Sequence, residues 1–212
     1  MYVFIAVFWS LFDQTGSSWV LQAENMDKNV NLGFTSFELL ASQIQAINPL
    51  LIMLFIPLFS YALYPMLNKF FKLTAIRKIM IGMFIAAFSF AVIAIAQMQI
   101  DGGAVPSILW QFFAYVILTA AEVMVSITGL EFSYTQAPNS MKSFIMGLWL
   151  LSVSFGNLIA GLVNSFIERA DGTYLLQGAE YFWFFAGLMF VTSVIFVFIA
   201  KRYKEESYIQ SR

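Results

Sequence analysis

The stretch IMIGMFIAAFSFAVIAIAQMQI, residues 79–100, runs through Phe, Ile, Val, Met and Ala without one charged side chain. A helix that crosses a bilayer needs about 20 such residues, because each adds 1.5 Å to its length. Residues 39–68, 143–167 and 181–200 are equally free of charge. Two further runs are interrupted once each: Met1 to Ala23 by Asp13, and Pro106 to Phe132 by Glu122, with Glu131 at its far end. The pattern predicts an all-α membrane protein, one unit over 1–212, with six helices at about 1–23, 39–67, 76–98, 106–132, 140–167 and 178–200.

Composition agrees. Of 212 residues, 60% are hydrophobic and 11% are charged, where a soluble domain carries about 25% charge. Such a chain cannot cover a globular surface with polar groups. Cys and His are both absent, which excludes disulfide frameworks, thiol nucleophiles, His-ligated metals and Ser/His/Asp triads. The net charge of −1 supplies no basic field for nucleic acid, and no phosphate-binding glycine loop occurs. Neither metal nor cofactor is expected, and an intramembrane enzyme has no catalytic arrangement to build on.

Basic residues set the orientation. Lys69, Lys72, Arg77, Lys78, Lys142, Lys201, Arg202, Lys204 and Arg212 fall on one side of the predicted spans, leaving Lys28 and Arg169 on the other. The first side is therefore expected to be cytoplasmic, with both termini. Loops 24–38, 99–105 and 168–177 then face outward with Glu24, Asp27, Asp101, Glu168 and Asp171. Tyr174, Tyr181 and Trp183 read as residues of the outer interfacial belt. The first span starts at Met1 with neither a positive segment nor a cleavage site before it, so the chain is expected to begin inside a longer protein.

Charged groups inside a span are costly, about 2.5–3.5 kcal/mol for Asp at a helix centre, and usually face a cavity or a partner. Gln111, Tyr115, Thr119, Ser126, Gly129 and Ser133 share the face of Glu122 through steps of three, four and seven. Asp13 has Trp9, Ser10, Gly16 and Ser17 within a turn. Asn48 precedes Pro49, which is expected to bend the second helix, with Pro57 and Pro65 repeating the interruption. Ser152, Gly156 and Ala160 form a ridge of small residues suited to close packing, with Trp149 one turn earlier on the same side.

The segments FWSLFDQTGSSWVLQA (8–23), INPLLIMLFIPLFSY (47–61), AAEVMVSITGLEFSYTQAPNSMKS (120–143) and GLWLLSVSFGN (147–157) resemble the proton-dependent oligopeptide transporters of the major facilitator superfamily. The stretch carrying Glu131, Tyr134, Pro138 and Lys142 is the most specific part. The likeness runs over nearly the whole chain, in the order of the family's seventh to twelfth helices. It implies the C-terminal six-helix half-bundle of a symporter of di- and tripeptides with protons, set among the lipids of the plasma (inner) membrane. It further implies that Glu122 receives the peptide ammonium and that Asn48 assists. Trp149 and Ser152 would line the pocket, and Asp13 would form a gating, proton-linked ion pair with the other half. The family more usually has Glu where Asp13 stands, so the reach is one methylene shorter. The N-terminal half, with its E-x-x-E-R motif and the helix-four Lys that meets the peptide carboxylate, is expected to be missing. The alternative is a self-standing six-helix channel or scaffold without transport of its own.

The native chain lacks Cys, so orientation is testable directly. A single Cys placed in loop 24–38 is expected to react with an impermeant thiol reagent in intact cells, and one at Lys72 only after permeabilisation. Labelling of both from outside overturns the orientation.

Overall fold

The computed structural model describes residues 1–31, 33, 35–135, 137–167 and 175–203. Glu168, Arg169, Asp171, Tyr174, Lys204 and Arg212 lie outside them. The elements in chain order are α1 (Tyr2–Phe12), a 3-10 turn (Asp13–Gly16), α2 (Ser18–Glu24), strands β1 (Asn29–Asn31) and β2 (Ser36–Glu38), and a 3-10 segment (Ala41–Ala46). There follow α3 (Ile47–Leu58), a π-helical turn (Phe59–Leu63), α4 (Tyr64–Phe70), α5 (Ala75–Asp101), α6 (Leu109–Glu122) and a second π-helical turn (Val123–Ile127). The chain continues through α7 (Thr128–Thr135), a short 3-10 turn (Asn139–Met141), α8 (Lys142–Ile167) and α9 (Ala179–Arg202).

Five continuous helical runs are long and apolar enough to cross a membrane: 41–70, 75–101, 109–135, 142–167 and 179–202. The N-terminal segment 2–24, the first helical run in chain order, is not one of these five and departs from the expected continuous helix over 1–23. It breaks at Asp13–Gly16, where Ser17 leaves helical geometry (φ −132°, ψ −88°), and restarts at Ser18. Pro49 also behaves differently from the expected bend. It falls in the first turn of α3, directly after the 3-10 segment, and the helix runs on past it to Leu58. The irregularity lies instead after Pro57, inside α3, where the helix widens into the π turn at 59–63. Loop 24–38 carries a hairpin that hydropathy did not signal, with Val30 opposite Phe37. Asp27 ties this loop to the one before α6, its N–H donating to the Pro106 carbonyl and its carbonyl accepting from Ile108. Asn29 donates its backbone N–H and side-chain amide to Asp27 Oδ1, each at 3.0 Å, which holds that carboxyl below its usual pKa.

The core gathers around α5. Phe90 and Ile93 are fully buried with Trp19, Tyr115, Leu118 and Phe185 from the surrounding helices. Without a hydrophobic driving force between helices in lipid, small residues that let backbones approach carry much of the packing. Two glycines do this here. A Cβ on Gly82 of α5 would stand 2.7 Å from Val125 Cγ2 and 2.8 Å from Met124 Cβ, so α5 seats directly on the second π turn. A Cβ on Gly156 of α8 would stand 2.6 Å from both the Ala6 carbonyl and Trp9 Cβ. α8 therefore lies against the backbone of α1. Coverage is uneven: in its most apolar window 11% of the 41–70 run is buried and 17% of α8, against 61% of α5.

Gly156→Val is expected to push α8 off α1 and lower stability by about 1–3 kcal/mol, the range for overpacking. Gly161→Ala, on the same helix with open space around it, is expected to leave stability unchanged or raise it. Thermal unfolding in detergent, followed by circular dichroism, distinguishes the two.

Candidate functional site

The break in the first helical run needs support from its neighbours, and α6 provides it. Where a helix stops inside a bilayer, freed carbonyls have no water to bond. Tyr115 donates its hydroxyl to the Thr15 carbonyl at 3.2 Å, and Gln111 donates Nε2 to the Trp19 carbonyl at 2.7 Å and to Gln22 Oε1 at 3.0 Å. Gln22 in turn donates to the Ile93 carbonyl and to Gln97, and Gln97 to Asp101. Asp101 accepts the N–H of Ala179 at the start of α9. One chain of amides thus joins α2, α5, α6 and α9. The polar stripe on α6 is therefore divided in its work: Tyr115 holds the break and Gln111 the restarted α2, whereas Thr119 and Glu122 face another helix.

That helix is α3. Asn48 sits in its first turn and donates Nδ2 to Thr119 Oγ1 at 3.0 Å and to Glu122 Oε2 at 2.8 Å. Glu122 is the last residue of α6 before the π turn, a geometry found often at functional positions. Asp13 opens the 3-10 turn at the break, within electrostatic reach of Asn157 of α8 and of Glu122. Its Oδ2 is buried with no hydrogen-bond partner among the described residues, and so is Trp9 Nε1, one turn earlier. Asp13, Asn48 and Glu122 are each half-buried. Among the described residues the only ion pair is Lys28–Glu24, at 3.3 Å on the surface. Two carboxyl groups therefore lie near one another inside the membrane-spanning bundle, with an amide between α3 and α6 and no cation paired to either.

Trp149 and Ser152 stand differently. Both are buried on α8, Ser152 donating to the Trp149 carbonyl at 2.6 Å. The Trp149 indole lies over Gly129 of α7, whose absent Cβ would be 3.1 Å from it. Ser133 donates to the Gly129 carbonyl at 2.7 Å. The remaining motif residues lie toward the basic end. Glu131 is exposed on α7 and lines a groove of about 540 Å³ with Tyr64 and Lys78, whose ammonium sits 4.1 Å from the Tyr64 ring centre. Tyr134 and Lys142 are half-buried and Pro138 is exposed. Asn157, the partner of Asp13, escaped the sequence reading although it lies inside one of the quoted segments. Nothing in spacing alone links residues so far apart in the chain.

The chain matches the POT family (PTR2) profile over residues 1–184. It is 47% identical over 98 residues to "Peptide transporter family 1" of Drosophila melanogaster, covering 46% of this chain and 12% of that protein. It is 29% identical over 203 residues to "Peptide transporter PTR2" of Saccharomyces cerevisiae, covering 90% of this chain and 32% of that one. Among solved structures, that of an auto-inhibited POT family peptide transporter superposes with a TM-score of 0.88 at 34% identity, over 100% of this chain and 41% of the other. These relatives are peptide transporters, not enzymes, and the chain spans less than half the length of each.

Tyr115→Phe removes the donor to Thr15 and is expected to cost about 0.5–1.5 kcal/mol of stability, the net worth of one hydrogen bond. Amide exchange is expected to quicken at residues 13–18 and nowhere else. Unchanged exchange there means that the hydroxyl does not hold the break.

Proposed function

We propose, from the premise that the chain belongs to the POT family, that it is the C-terminal six-helix half of a proton-coupled transporter of di- and tripeptides. In this reading the broken run 2–24 counts as the first of the six spans. The carrying observation is the Asn48–Glu122 hydrogen bond near Asp13, with no cation of the described residues paired to either acid. A half-buried carboxylate in a low-dielectric setting attracts a cation far more strongly than it would in water. A peptide offers its α-ammonium. Asn48 orients the Glu122 carboxylate through Oε2 and leaves Oε1 to receive that ammonium.

Asp13, at the helix break and near Asn157, is the second acid. It takes a proton, or pairs with a basic residue of the N-terminal half, as the site alternates between faces. Trp149 and Ser152 close the α8 side. The poorly covered 41–70 run and α8 flank the site, which supports the reading that a second bundle packs over them. The basic ends of the helices face the cytoplasm, and the protein resides in the plasma (inner) membrane.

The test is made in a transporter completed with an N-terminal six-helix half. Glu122→Gln is expected to weaken peptide binding at least tenfold, since losing one partner of a buried charge pair costs about 3–5 kcal/mol. Asn48→Ala is expected to weaken it less, by a neutral hydrogen bond of about 0.5–1.5 kcal/mol. Acetylating the peptide N-terminus is expected to abolish the difference between parent and Glu122→Gln. Equal binding of free peptide by both removes Glu122 from the site. Uptake independent of an imposed proton gradient removes the coupling.

A further inference from the structure

At the basic end, where α5 begins and α9 finishes, the surface holds a groove of about 610 Å³ lined by Lys72, Arg77, Lys201 and the Thr74 side chain. Arg77 is held in place: its Nη1 donates to the Lys72 carbonyl at 2.6 Å and its backbone N–H to Thr74 Oγ1 at 3.4 Å. That leaves other guanidinium N–H groups to a ligand. No carboxylate lines the groove among the described residues. Its floor is apolar, and Ile76, Ala200 and Tyr203 are shared with a second cavity of about 230 Å³ that continues past Phe132, Ile145 and Phe196. The Tyr203 ring meets Phe132 edge-on at 5.9 Å, at the junction of the two.

We propose that this pair of cavities binds one anionic phospholipid, its phosphate among Lys72, Arg77 and Lys201 and an acyl segment in the apolar cavity. Both helices that frame the groove are membrane-spanning runs, and the groove lies at their ends, at the level where headgroups sit. Cations at that depth attract anionic lipid by about 1 kcal/mol each. A free small anion would use the cations and leave the apolar extension empty, whereas a phospholipid uses both. Diffuse attraction would weigh every basic residue on this side alike; a built site weighs the three in the groove. That the leaflet concerned is the cytoplasmic one rests on the orientation proposed above, and the binding does not.

The test uses the purified chain in uncharged detergent, with bound lipid counted by native mass spectrometry. Phosphatidylglycerol is titrated against phosphatidylcholine of the same acyl chains, with inorganic phosphate as a third arm. One phosphatidylglycerol is expected to be retained at least about tenfold more tightly than phosphatidylcholine, as three cations allow. Lys72→Gln with Lys201→Gln is expected to weaken it about 25-fold, roughly fivefold per cation, while Lys69→Gln with Lys142→Gln changes it less than about twofold. If circular dichroism shows that the double groove variant has lost helix, Lys72→Gln alone decides, with about a fivefold loss expected. Equal losses in the groove and control pairs, equal retention of the two lipids, or displacement by millimolar phosphate each overturn the proposal. Labelling of Lys72→Cys from outside would reverse the orientation and leave the lipid result standing.

Discussion

The structure depends on satisfying a broken backbone where there is no water. In hydrocarbon an unpaired carbonyl or N–H costs several kcal/mol, so a helix can be interrupted only where side chains from another helix complete it. The N-terminal run stops at Asp13 and restarts at Ser18; the Thr15 carbonyl inside the break is taken by Tyr115 of α6, and Gln111 clamps the restarted helix α2 at the Trp19 carbonyl. Gln22 and Gln97 carry the same network to α5, and Asp101 carries it to α9. Remove that support and the break is untenable, and with it the placement of Asp13 at the head of the 3-10 turn.

Rigidity and openness are segregated as a consequence. α5, α6 and α9 are joined by buried rings and amides, and Gly82 lets α5 sit on the π turn that follows Glu122. The 41–70 run meets this frame through a few contacts of specific kind. Asn48 reaches Glu122 and Thr119, and Phe59 packs with Val123 and Met124, so that one π turn lies against the other. π turns are places where a helix can change its winding at modest cost. Glu122 thus sits at the edge of the least regular stretch of its helix, and Asn48 just after the 3-10 segment that leads into α3. In the proposed transporter, which opens its site alternately to two faces, residues beside such turns can shift while the frame behind them stays packed.

Burial also separates residues that the polar stripe on α6 had grouped together. Gln111 and Tyr115 use their donors on a carbonyl or amide of a neighbouring segment, while Gln111 Oε1 is buried without a partner among the described residues. Glu122 and Asp13 are carboxyls, able only to accept when ionised, and the described part of the protein offers them amides but no cation. That asymmetry is what the proposed reading of a positively charged ligand rests on, and a single helical period cannot distinguish it from structural polarity.

The apolar runs and their length were legible in the sequence because the bilayer sets one crude, strong rule: about 20 apolar residues to cross it. The placement of positive charge was legible for a similar reason, and so was the anomaly of Asp13 and Glu122 within spans, since each departs from a background that is otherwise uniform. Pairings were not legible. That Asn48 bonds Glu122 across 74 positions, or that Asp13 meets Asn157 rather than a neighbour on its own helix, depends on how close the helices approach. For Asp13 and Asn157 the closeness comes from Gly156, which lets α8 lie on the backbone of α1 and whose missing side chain carries no signal of which backbone it will face. The break at Asp13–Ser17 was hidden for the same reason. Local propensity permits a helix through Thr15, Gly16 and Ser17, and only the donors waiting on α6 make its interruption affordable in a solvent that bonds nothing.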